Sequence, residues 1–107
     1  MTTPEGKVKE EIKRELTKLG AYFFMPVQMG YGARTVDILA CVSGRFVAIE
    51  VKKPGAFKLT DNQRGVLAAI RRAGGDAFVA QSWADVKCML PDESERRPPI
   101  YPAEWTE

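Results

Sequence analysis

The chain is 107 residues long, enough for one domain with its own core, and its 45% hydrophobic and 28% charged residues are those of an ordinary globular protein. It has no histidine, which removes histidine-based catalysis and most transition-metal sites; Cys41 and Cys88 lack CxxC spacing and read as small buried side chains, neither a zinc site nor a disulfide frame. No apolar run approaches the ~20 residues that span a bilayer, and the N-terminus MTTPEGKVKEEIK is too rich in charge for a secretion signal, so a cytoplasmic protein with no membrane association is expected.

The net charge of +2 is unevenly spread. Residues 1–90 carry 14 Lys and Arg against 9 Asp and Glu, net +5, whereas residues 91–107 carry 2 against 5, net −3. Residues 1–90 are read as the folded domain and 91–107 as a polar, proline-rich C-terminal tail in which Ile100, Tyr101 and Trp105 stand out. The basic domain mildly favours a polyanionic partner.

From Pro4 to Leu19 the apolar residues Val8, Ile12, Leu16 and Leu19 recur at helical spacing, with Thr3 as N-cap, Pro4 in the first turn and Gly20 as a stop. Ala21 to Gln28 reads as a strand that Pro26 pushes towards an edge. Met29 to Arg34 (MGYGAR) is a glycine loop, Thr35 to Val42 a second strand, Ser43-Gly44 a hairpin turn and Arg45 to Lys52 a third strand. Thr60 and Gln63 have the form of a capping box, opening a helix with the stripe Val66, Leu67, Ile70 and Ala73 that Gly74-Gly75 closes. DAFVAQ is a fourth strand, and Ser82 caps a last helix through Val86 to Leu90. The order αβββαβα predicts an α/β fold with a mixed four-stranded sheet flanked by helices. A right-handed parallel crossover would join the last two strands.

Two strands carry charges that burial disfavours. In FVAIEVKKPG, Glu50 and Lys52 project on one face beside Ala48; in TVDILACV, Asp37 interrupts an otherwise apolar run. A turn centred on Ser43-Gly44 pairs residues whose numbers sum to 87, which sets Asp37 across from Glu50. Opposed carboxylates are destabilising unless a positive group sits between them, and a divalent cation with oxygen ligands meets that need. In the first helix Glu5 lies within roughly 25° of the centre of the apolar stripe, Glu11 points well away and Glu15 is intermediate. Gln63 heads the stripe of the second helix. Mg²⁺ or Mn²⁺ held by Asp37 and Glu50, with Lys52 beside them, is the equipment of phosphodiester hydrolysis.

Each of these residues also has a structural reading. Glu50 and Lys52 suit an exposed ion pair, Glu5 an acid favoured by the helix dipole, and Gln63 the capping partner of Thr60, a role that competes for the same amide. Lys53, Lys58, Arg64, Arg71 and Arg72 suit a solvated face, although Lys53 and Lys58 flank the acids and are the better DNA contacts. The glycine loop would let backbone amides approach a phosphate, with Arg34 and Tyr31 at hand.

Asp37, then twelve residues, then Glu50-Val51-Lys52 resembles the PD-(D/E)xK nuclease signature. With Glu5 fifteen residues before Gly20, GARTVDIL, FVAIEVKKPG, LTDNQRGVLAAIRRAGG and FVAQSWAD, the stretch from about Glu5 to Leu90 is similar to a stand-alone VRR-NUC domain. The proline usual before the aspartate is Val36 here. The resemblance implies that Asp37, Glu50, the Val51 carbonyl and Glu5 hold Mg²⁺ or Mn²⁺, that Lys52 is catalytic, and that Gln63 and Glu5 complete the catalytic set. It implies a DNA endonuclease selective for branched structures, four-way junctions or flaps, acting as a homodimer. A restriction-type duplex cutter would need a reading element for which little chain remains. The rival readings are a nucleic-acid-binding module of the same fold that does not cut, and a structural subunit whose acid pair binds a stabilising cation.

Overall fold

A computed structural model describes residues 2–27 and 35–92. Helix α1 (Pro4–Lys18) is followed by strands β1 (Tyr22–Phe24), β2 (Ile38–Val42) and β3 (Arg45–Val51), helix α2 (Asp61–Arg72), strand β4 (Asp76–Ala80) and helix α3 (Trp83–Met89). This is the expected αβββαβα order. The glycine loop with Tyr31 and Arg34, and the tail with Ile100, Tyr101 and Trp105, lie outside the described residues.

The strands lie side by side in chain order, β1-β2-β3-β4. The first two neighbour pairs are antiparallel, and β3 and β4, joined by the α2 crossover, are parallel. Val42 pairs with Arg45 across a turn whose two residues have positive φ, 52° at Ser43 and 82° at Gly44. These are the dihedrals of a type I′ turn, whose twist matches that of the strands it joins. The turn fixes the register Ile38↔Ile49, so paired numbers sum to 87 as expected.

Both long helices are built by their ends as well as their faces. The Thr3 hydroxyl accepts from the Gly6 N–H at 2.9 Å, and the Thr60 hydroxyl from the Gln63 N–H at 3.1 Å. At the C-terminal ends, Gly20 (φ 76°) and Gly74 (φ 98°) enter the left-handed region. The amides of Gly20 and Ala21 reach back to Thr17 and Leu16, and those of Gly74 and Gly75 to Arg71 and Ile70, so each helix closes in a Schellman motif. Leu19, expected in the buried stripe, is the C-cap of α1 and 56% exposed, because the chain has already left the helix. Ala73 is likewise an exposed C-cap, and of the α2 stripe Leu67 is fully covered while Val66 and Ile70 are half-buried.

Two cores lie on opposite faces of the sheet. One joins Val8, Ile12 and Leu16 of α1 and Val86 of α3 to Ile38, Val47, Ile49, Val51 and Phe78. The other joins Leu67 of α2 to Val36, Ala48 and Ala77. Each fully buried aliphatic side chain contributes about 1.5–3 kcal/mol. Among the described residues α2 covers β3 and β4 and leaves that side of β1 and β2 open, with Tyr22 75% and Phe24 51% exposed, as is Phe46 (51%) near the start of β3. Cys41 pairs with Tyr22 and Phe46 in this open row and is exposed, as is Cys88, contrary to the buried positions expected for both. Glu11, expected to point well away from the apolar stripe, is half-buried: its Oε1 accepts from the Trp83 N–H at 2.8 Å and ties α1 to the start of α3.

The main departure in the strands is their length. β1 stops at Phe24, before Pro26, and β2 begins at Ile38 instead of Thr35. At Asp37 the chain bends, and Asp37 Oδ2 accepts the Val51 N–H at 2.8 Å. A side-chain carboxylate thus takes the acceptor's place at the end of the β3 ladder, and pairing ends there. The bend forms without a proline: Val36 is 1% exposed and anchored in the α2-side core.

Candidate active site

The acids converge where β3 ends. Glu50 shares the α2-side face with Ala48 and is 5% exposed, the buried charged residue among the described ones. Continuing the register by one step from Ile38↔Ile49 places Asp37 opposite Glu50. Burial raises the Glu50 carboxyl from its ordinary 4.5 to about 8, helped by a hydrogen bond with Asp37, by the Asp37 charge and by Glu5, while the Lys52 ammonium pulls the other way. The Glu50 carboxyl is therefore held towards its protonated form beside Asp37.

Gln63 resolves the competition seen in its sequence. Its Oε1 accepts from the Thr60 N–H at 2.9 Å, completing the capping box, and also from Lys52 Nζ at 3.3 Å. Its Nε2 donates to Glu50 Oε2 at 3.2 Å. An amide has two acceptor lone pairs and two donor hydrogens, so one side chain caps the helix, holds the lysine and satisfies the acid together. Lys52 is half-buried, and its backbone N–H donates to Ala80 O at 2.9 Å, which carries the β3–β4 pairing just beyond the strand.

Glu5 approaches from α1 without touching the acid pair directly. Lys9 links them: its Nζ is 3.5 Å from Glu5 Oε2 and 3.5 Å from Asp37 Oδ1. Sequence reasoning missed Lys9, although its position four residues after Glu5, one turn along the same helix face, was a usable signal. Lys53 and Lys58 are exposed. Val51 is fully buried with its N–H committed to Asp37. Arg34 and Tyr31 lie outside the described residues.

The chemistry of the donors fits a hard divalent cation. A buried carboxyl that needs a proton to remain beside its neighbour is a position where Mg²⁺ or Mn²⁺ can replace that proton. Among the described residues no group of three or more His, Cys, Asp or Glu is gathered into a cage. Mg²⁺ does not demand one, since it keeps several waters and takes one or two carboxylates.

No protein-family model and no curated protein matches the chain. A solved structure described as a VRR_NUC domain is similar to it, with a TM-score of 0.69 and 26% sequence identity over 81% of this chain and 94% of that one. The chain has a VRR_NUC-domain fold. A VRR_NUC-like fold is a nuclease-family fold, in line with the resemblance read from the sequence. The helix-and-sheet order read from the sequence is that of this VRR_NUC-like architecture. Among the described residues, no helix is long and apolar enough to cross a membrane.

Proposed function

We propose that this chain is a Mg²⁺- or Mn²⁺-dependent DNA endonuclease that hydrolyses phosphodiester bonds in branched DNA, four-way junctions or flaps. The observation that carries the reading is the buried Glu50 carboxyl, pushed up to about 8 against Asp37 and joined through Gln63 to Lys52. Asp37, Glu50 and the Val51 carbonyl would hold the ion, with Glu5 completing the ligands. The ion supplies Lewis acidity towards a phosphodiester oxygen and makes its bound water more acidic. Asp37 and Glu50 would fix its place at the strand end, where Glu50 is buried and Asp37 half-buried.

Lys52 is the catalytic base or orienting group for the attacking water, and its ammonium stabilises the extra negative charge on the pentacoordinate phosphorus. Gln63 keeps that ammonium on the acid side of the sheet by accepting one of its hydrogens. Lys53 and Lys58 contact backbone phosphates, joined by Arg34 and Tyr31 from the glycine loop. A homodimer suits the substrate, since a four-way junction presents two related strands to a two-fold protein.

The test is cleavage of labelled four-way junction, flap, single-stranded and linear duplex DNA with Mg²⁺ or Mn²⁺, beside EDTA and a Glu50→Ala variant. The expected result is metal-dependent nicking of branched substrates that the variant does not perform. Absence of cutting by the folded, metal-loaded protein would favour the binding-only module; preference for linear duplex would favour a restriction-type cutter.

A further inference from the structure

Lys9 stands inside the acid cluster, yet the chemistry above gives it no part. Its side chain is 27% exposed, and its ammonium lies 3.5 Å from both Asp37 Oδ1 and Glu5 Oε2. The other oxygen of Asp37 is already engaged, accepting the Val51 N–H at 2.8 Å. Of the two Asp37 oxygens, the one facing Lys9 is the one without a backbone donor, and so the more open to an ion.

An ammonium and a divalent ion do not share one carboxylate oxygen comfortably. A metal–oxygen bond of about 2.1 Å would bring the ion within a few ångströms of the Lys9 nitrogen, where like charges repel strongly in a half-buried setting. Lys52 lies towards α2, its ammonium donating to Gln63, whereas Lys9 meets Asp37 from α1. Lys9 has a long flexible stem on a side chain that is 27% exposed, so its ammonium can turn out to water when the ion arrives.

We infer that Lys9 is a built-in counter-ion of the metal carboxylates, occupying Asp37 in the metal-free protein and displaced from it when a divalent cation binds. Lys9 thereby sets the metal affinity by competition, and its charge holds the acids together until the ion arrives. This rests on the metal-nuclease reading, but it predicts signs that a merely structural lysine would not produce. Removing the charge lowers stability without metal and raises affinity for metal.

The experiment is Mn²⁺ titration calorimetry with thermal melting in EDTA and in Mn²⁺, on the parent, Lys9→Met, Lys9→Gln, Lys9→Arg and Asp37→Asn proteins. Lys9→Met and Lys9→Gln are expected to bind Mn²⁺ roughly fivefold more tightly, the factor equivalent to the upper end of an exposed ion pair's strength. They should melt lower in EDTA and gain more from Mn²⁺, while Lys9→Arg stays near the parent. If the parent binds Mn²⁺ through Asp37 but both uncharged variants bind equally or less tightly, the counter-ion role is overturned and the metal site stands. If the parent binds no Mn²⁺, or Asp37→Asn binds it undiminished, the metal site itself fails and this inference with it.

Discussion

Glu50 is both the least comfortable residue in the metal-free fold and the centre of the site. Its carboxyl titrates near 8 in the folded chain against an ordinary 4.5, chiefly because it is buried. The folded state then holds a proton that the unfolded chain has released. The associated stability is full below about pH 4.5 and disappears as the pH rises through 8, with a slope of order 1 kcal/mol per pH unit between them. Melting in EDTA should therefore fall across that window, and Glu50→Gln should flatten the decline. The same variant should be more stable than the parent at pH 8 in EDTA and gain nothing from Mn²⁺. Roles separate at Lys52 and Asp37: Lys52→Ala should lose DNA cutting while calorimetry shows nearly intact Mn²⁺ binding, whereas Asp37→Asn should lose both. Glu50, Lys52 and Asp37 were legible because charge in a β-branched run is conspicuous. Lys9 was only half legible: its spacing from Glu5 marks the shared helix face, but its contact with Asp37 needs the fold.

At the scale of elements, the hairpin does the positioning. Ser43 and Gly44 both take positive φ, and that tight turn makes the opposition of Asp37 and Glu50 a matter of register. One alanine inserted between Ala40 and Cys41 would shift Asp37 by a residue against β3 and turn it to the other face, or force a bulge. Mn²⁺ binding by calorimetry should then disappear, whereas one glycine added between Ser43 and Gly44 should leave it within a few-fold of the parent. Element order and pairing could be read from glycines, caps and alternation. Strand limits could not: β2 starts late because the Asp37 carboxylate accepts the Val51 N–H, a bond across fourteen residues that propensity cannot anticipate. Gln63 was ambiguous for a similar reason, as only the fold shows that its two ends face different partners.

Across the whole molecule, the sheet separates two cores and the acids lie at its end, reached by α1 from one side and α2 from the other. That helices pack against the sheet was legible in their apolar stripes. The open row of Tyr22, Cys41 and Phe46 was not, because whether α2 spans two strands or four is decided by the placement of its crossover. The first turns of α1 and α2 are opened by Thr3 and Thr60, far apart in the chain and on opposite faces, yet their side chains Glu5 and Gln63 flank one pair of acids. Helix ends ordinarily fray independently and exchange their amide hydrogens quickly. An ion seated on Asp37 and Glu50 would clasp both ends at once. Deuterium uptake at Lys7 and at Arg64 should then slow together on adding Mn²⁺, with the same concentration midpoint, while the amide of Gly74 at the far end of α2 keeps its own pace.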